Sequence, residues 1–170
     1  MGADVAGRAR PMGGLEELYV SNAPAAIRLA YFLTGDRELA EDLVQEAFVR
    51  VAGRLRHLRV PDSFPAYMRR TIVNLYTSQL RRRRLERAYV ARRGVNPRAR
   101  HPEDVAQRDE LWGAVQRLPE RQRAAVVLRY YEDLSEREAA DVLGVSTGAL
   151  NALVARATAT LRDHLRGEER

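Results

Sequence analysis

Apolar residues recur three and four apart along almost the whole chain, and no stretch keeps the strict two-residue alternation of a half-buried strand. A chain patterned this way packs helix on helix, because only a helix brings residues i, i+3, i+4 and i+7 to one side. The expected fold class is therefore all-α. Residues 15–33 read as one helix, ended at "TGD" (34–36), where Asp36 suits an N-cap. The next helix gathers Leu39, Ala40, Leu43, Val44, Ala47, Phe48 and Val51 on one face. After a proline-bearing loop, "HLRVPDSFPA" (57–66), a third helix is expected from Pro65 to Arg87, buried through Met68, Ile72, Leu75, Tyr76 and Leu80.

Composition shifts at "ARRGVNPRARHPEDV" (91–105), where one glycine, two prolines and four arginines interrupt the periodicity. Beyond it, "VAQRDELWGAVQRL" is amphipathic, Pro119 fits the first turn of a helix through Tyr131, and Ser135 with Glu138 forms a capping box. The expected organisation is two small helical domains on a flexible linker: a loose tail over 1–14, a first bundle over 15–90, the linker over 91–104 and a second bundle over 105–170. Met12 is an alternative start to Met1. Some 15 linker residues at up to ~3.3–3.6 Å each reach roughly 50 Å, more than one turn of duplex.

The 170 residues carry a net charge of +6 and a pI near 10.3, which favours a polyanionic partner. All 29 basic residues are arginine, a residue suited to bidentate phosphate contacts. There is no cysteine, which removes disulfides, thiolate metal sites and thiol nucleophiles and points to the cytoplasm. The apolar run "AAVVL" (124–128) falls far short of the roughly 20 residues of a spanning helix, so no membrane insertion is expected. His57, His101 and His164 lack metal-ligand spacing, and no catalytic triad or phosphate-cradling glycine loop is present. No enzyme, catalytic residue, metal or cofactor is expected.

Three surfaces stand out. On the second helix, Glu38, Glu41, Asp42, Gln45 and Glu46 gather opposite the apolar stripe, an acidic face within a basic protein. It would repel DNA and suits a basic partner helix. On the third helix, Arg70, Asn74, Thr77, Arg81 and Arg84 recur at alternating steps of four and three and so share one edge, a ladder of phosphate and base-edge donors. Phe64 and Tyr67 beside it offer flat rings to unstacked bases, with Phe64 equally able to plug the helix packing. In "LGVSTGALNALVARA" (143–157), a glycine turn leads to a helix with the cadence of a DNA reader but mostly alanine outward. Its buried stripe is Leu150, Leu153, Val154, Ala157 and Leu161, and it offers DNA only Ser146, Thr147, Asn151 and Arg156.

The segments "LTGDRELAEDLVQEAFVRV", "FPAYMRRTIVNLYTSQLRRRR" and "LPERQRAAVVLRYYEDLSEREAADVLGVS", in this order, resemble regions 2 and 4 of bacterial extracytoplasmic-function (ECF) sigma factors, closest to small actinobacterial members. The resemblance implies a region 2 bundle and a region 4 helix-turn-helix. It implies that Glu41, Asp42, Gln45 and Glu46 dock on the β′ clamp helices of core RNA polymerase. It implies that loop 57–66 and the helix after it read the −10 promoter element and trap a flipped base, through Phe64, Tyr67, Arg70, Asn74, Thr77, Arg81 and Arg84. Residues 135–162 would meet the −35 element and the β-flap, and an anti-sigma factor is a further partner common in the family. Tyr67 stands where many members have tryptophan. Asn151, Leu153, Thr158 and Thr160 stand where the family's reader helix is usually basic, so weak −35 reading through Ser146, Thr147, Asn151 and Arg156 is expected. Two other functions fit the residues: a sigma-like adaptor that binds polymerase without reading −35 DNA, and a free-standing helix-turn-helix regulator.

Overall fold

The structure, a computed structural model, describes residues 13–54, 64–91 and 110–168. The expected tail as far as residue 12, loop residues 57–63 and linker residues 92–104 lie outside the described residues. Among the described residues every regular element is helical. α1 (Gly13–Thr34) ends where Gly35 adopts φ 72°, a left-handed conformation that L side chains rarely take, and Gly35 N–H bonds Tyr31 O at 2.8 Å. One residue later the Asp36 carboxylate accepts the Leu39 N–H at 3.1 Å and caps α2 (Arg37–Arg54). α3 (Phe64–Ala91) starts one residue before the expected Pro65 and runs four beyond Arg87. These three helices bury Leu29, Leu33, Leu43, Val44, Ile72 and Val73 between them. Each such side chain stabilises the bundle by about 1.5–3 kcal/mol.

The second block begins with α4 (Glu110–Arg117). Pro119 lies just before α5 (Glu120–Val126) rather than in its first turn, with φ −52° and ψ 138°. α5 does not continue as an α-helix to Tyr131, as the periodicity suggested. Val127–Tyr131 widens into a π turn, and Glu132 N–H reaches back to Val127 O at 3.0 Å. Asp133 then takes φ 51°, a left-handed value that aspartate tolerates better than most residues. α6 (Glu136–Leu143) opens with the expected capping box of Ser135 and Glu138, and the Ser135 hydrogen bonds hold the Glu138 carboxyl below its ordinary range. Gly144 ends α6 at φ 64°, and Ser146 Oγ caps α7 (Thr147–Glu168) by accepting the Ala149 N–H at 3.1 Å.

Nothing in the periodicity signals that the two blocks touch each other, yet they share one core. Leu134, Ala139, Ala140 and Leu150 belong to the same buried cluster as Leu33 and Ile72. The last carbonyls of α1, left without helical partners, are capped by the second block: Gln116 Nε2 donates to Phe32 O at 3.0 Å and Arg123 Nη1 to Leu33 O at 2.8 Å. Trp112 stacks on Tyr31 with ring centroids 5.0 Å apart and meets Phe32 edge-on at 4.9 Å. Arg69 Nε bonds Glu132 Oε2 at 2.5 Å, with side chains only 25% and 13% exposed.

Tyr76 lies near this junction, and its buried hydroxyl has no protein partner. Burial pushes its pKa from 10 up to about 12, with Arg123 and Arg83 opposing the rise and Glu120 adding to it. The folded chain therefore holds this proton in a window where the unfolded chain releases it, and stability declines as pH climbs from 10 towards 12. Tyr76→Phe is expected to flatten that alkaline decline. At neutral pH it should raise stability by about 1 kcal/mol, since it removes an unpaired buried hydroxyl. Urea melts at pH 7 and 11 measure both effects; a clear loss of stability at pH 7 would reveal a hydrogen bond at the hydroxyl.

Candidate binding surfaces

The acidic face of α2 is intact. Asp42, Gln45 and Glu46 are exposed and Glu41 is half-buried. Glu41 pairs with Arg37 at 3.0 Å and Glu46 with Arg50 at 2.6 Å, both one turn apart on the same helix. Exposed pairs of this kind contribute only about 0.3–0.5 kcal/mol, so both carboxylates can be released to a stronger basic partner. The structure adds Val49, one turn beyond Gln45 and 71% exposed. It adds an exposed apolar side chain to the acidic face. Its signal in the sequence was an apolar residue that misses the buried stripe.

Along α3, Arg70, Asn74 and Arg81 are exposed on one edge, as the spacing predicts. Thr77 is half-buried, and its hydroxyl donates back to Val73 O at 2.9 Å, which reduces what it can offer a base. The side chain of Arg84 lies outside the described residues. Phe64 is corrected: it is 1% exposed and meets Phe48 edge-on at 6.2 Å. No ring face remains for a base, because the start of α3 needs an apolar plug against α2. Tyr67 is half-buried, and its hydroxyl accepts from Arg54 Nη1 at 2.7 Å. That bond leaves Tyr67 as the aromatic group at the foot of the arginine edge.

Part of this exposed edge borders the second block. Asn74, Thr77 and Arg81 form one wall of a cleft of about 390 Å³, and Glu120, Leu143 and Gly144 of the second block line the other.

On α7, Leu150 and Ala157 are buried while Ala155 and Ala159 face out. Thr147 and Arg156 are exposed. Two of the four expected readers are occupied within the block. Ser146 caps its own helix, and Asn151 Nδ2 donates to Glu136 Oε2 at 3.1 Å. Among the described residues no three metal-ligating side chains converge, and no single helix is long and apolar enough to cross a membrane.

Residues 18–86 match the family model "Sigma-70 region 2", and residues 108–161 match "Sigma-70, region 4". The chain is 34% identical over 150 residues to RNA polymerase sigma-E factor of Streptomyces coelicolor, covering 88% of this chain and 85% of that one. It is 34% identical over 169 residues to ECF RNA polymerase sigma factor SigE of Mycolicibacterium smegmatis, covering 95% of this chain and 65% of that one. Among solved structures, the sigma factor RpoE in complex with the anti-sigma factor NepR from Bartonella quintana superposes with a TM-score of 0.70 at 24% identity, over 91% of this chain and 98% of that one.

Proposed function

The chain belongs to the ECF sigma factors of the sigma-70 family, and from that premise we propose that it binds core RNA polymerase through α2 and directs it to promoters read mainly at the −10 element. The acidic, solvent-open face of α2 carries this reading, because a basic protein has no reason to concentrate Glu41, Asp42, Gln45 and Glu46 where nucleic acid would be repelled. The β′ clamp helices are the partner assigned to that face. Arg70, Asn74 and Arg81, with Tyr67 at their foot, hold the separated strand of the −10 element, while Thr77 and Arg84 extend the same edge. Phosphate contacts set register, and Asn74 is the side chain suited to a base edge. The factor contributes binding energy and no bond chemistry; capture of the exposed base drives unstacking. It acts in the cytoplasm, where polymerase and promoter are. An anti-sigma factor covering the face of α2 is the further partner this reading allows.

The proposed domains are the first bundle over 15–90 and the second over 105–170, with residues 91–104 between them. The second bundle meets the β-flap and the −35 element. Thr147 and Arg156 are the groups free to contact −35 DNA, since Ser146 and Asn151 are engaged by α7 and α6. A bidentate base contact is worth roughly 1–3 kcal/mol, so this helix discriminates weakly. The same occupancy favours a second reading, an adaptor that binds polymerase without reading −35 DNA.

Run-off transcription with purified core polymerase on a genomic template library tests the assignment. Promoter-specific transcripts are expected, and base changes at −10 should lower yield about tenfold or more, against severalfold at −35. Absence of any specific transcript, with polymerase still bound, would leave only the adaptor. A promoter scan ranking −35 above −10 would reverse the account of α7.

A further inference from the structure

We propose that Arg54 is a further contact to the −10 strand: its guanidinium fixes the Tyr67 ring through the hydroxyl and offers its remaining N–H groups to the phosphate beside the stacked base. The inference rests on the function proposed above and adds a residue of α2 to the strand-reading edge of α3.

The bond itself supplies the first argument. Arg54 Nη1 donates to Tyr67 Oη at 2.7 Å and ties the last residue of α2 to the first turn of α3, thirteen positions along the chain. A guanidinium only donates, so the ring it holds must accept. Phenylalanine has no polar group and tryptophan offers an N–H donor alone, so of the three large aromatic rings only tyrosine can be held this way. The Tyr67 side chain is half-buried, and packing covers only part of it. A second anchor at its polar tip sets the angle at which the open part of the ring meets a base. A ring already ordered in the free protein loses less entropy when a base stacks on it.

The second argument is the capacity left on Arg54. A guanidinium carries five N–H donors, and Tyr67 takes one of them. The side chain is exposed, and among the described residues no carboxylate pairs with it. Arg50, one turn earlier on the same helix, is paired with Glu46, and Arg69 on α3 with Glu132. Arg54 therefore brings an available charge and a planar set of donors to the ring, the combination that suits a phosphate.

The third argument is placement. Tyr67, Arg70 and Asn74 are three and four residues apart on α3 and share one side of the helix. Arg54 reaches Tyr67 from α2, so the row of donors begins on one helix and continues along the other. In that row the ring stands between two guanidinium groups, those of Arg54 and Arg70. A base stacked on it carries its phosphate past one of them.

The test uses holoenzyme assembled with core polymerase and a fork-junction oligonucleotide whose single-stranded −10 sequence comes from a promoter found by run-off transcription. Arg54→Ala is expected to weaken binding about tenfold, the effect of losing a charged hydrogen bond. It should also make the log–log salt dependence shallower by about 0.7, the share of one single-strand phosphate. Arg54→Lys should keep the slope. Tyr67→Phe should keep it too while weakening binding severalfold, since the ring stays and its anchor goes. Arg54→Ala and Tyr67→Phe together should cost less than the product of their separate losses, because both remove the same bond. Thermal midpoints of the free chains should stay within about 2 °C of the parent, as for exposed substitutions. An unchanged slope in Arg54→Ala, a combined loss equal to that product, or weakened binding only in chains whose midpoint falls would each overturn the proposal. Tyr67→Ala holoenzyme that binds the fork as tightly as the parent would instead overturn the function on which it rests.

Discussion

Asp42→Arg/Glu46→Arg is expected to weaken binding to core RNA polymerase by at least about a hundredfold while leaving the helical content and thermal midpoint unchanged. Removing one partner of a docked, hydrogen-bonded charge pair costs about 2–5 kcal/mol, and reversal adds repulsion from the basic partner. Two reversals on one face therefore exceed the roughly 2.7 kcal/mol that a hundredfold change represents. The fold should not register the change, because both side chains are exposed. The only local penalty comes from replacing the Glu46–Arg50 pair with two like charges one turn apart, a cost of about 0.2–0.5 kcal/mol. Anisotropy of a labelled chain titrated with core enzyme at physiological salt measures the loss. Asp42→Asn/Glu46→Gln should fall between the two, and reversal without loss of affinity would remove α2 from the interface.

Phe64→Ala is expected to destabilise the chain by about 3–5 kcal/mol, the range for deleting a fully buried aromatic ring. For a protein of this size that corresponds to a fall in thermal midpoint of about 10 °C or more. The ring is 1% exposed, faces Phe48, and belongs to the one core that joins both blocks. Phe64→Leu should recover most of the loss by refilling the space. A ring that stacked on a base would behave in the opposite way, with promoter melting impaired at unchanged stability. Denaturant melts beside run-off transcription separate these outcomes. Tyr67→Ala is the complementary substitution, expected to lower transcription more than stability, since its ring is half-buried and its hydroxyl is held by Arg54.

Much of the helical architecture was legible because its signals are local. The capping box at Ser135, the Asp36 cap and the burial of Met68, Ile72 and Leu80 all follow from residues close together along their own helices. The sharing of one edge by Arg70, Asn74 and Arg81 follows from helical spacing in the same way. Phe64 was not legible, because an aromatic residue at a helix start packs inward or outward according to what the neighbouring helix presents. The π turn at Val127–Tyr131 escaped as well. Its apolar run satisfies α and π registers equally, and the choice falls to the contacts of Tyr131 with Phe32 and Glu132 with Arg69 in the other block.

What the residue order determined alone was therefore the set of helices, most of their caps and the charge carried by each face, since these depend on backbone and side-chain groups close in sequence. Tertiary structure alone decided that the two blocks share a core, that Gln116 and Arg123 cap the end of α1, and that Asn74, Thr77 and Arg81 border a cleft whose other wall is the second block. The hydrogen bonds that join the blocks link residues more than sixty positions apart. They exist because carbonyls and apolar rings left unpartnered by one bundle find partners on the other, a matching of surfaces that local periodicity does not encode.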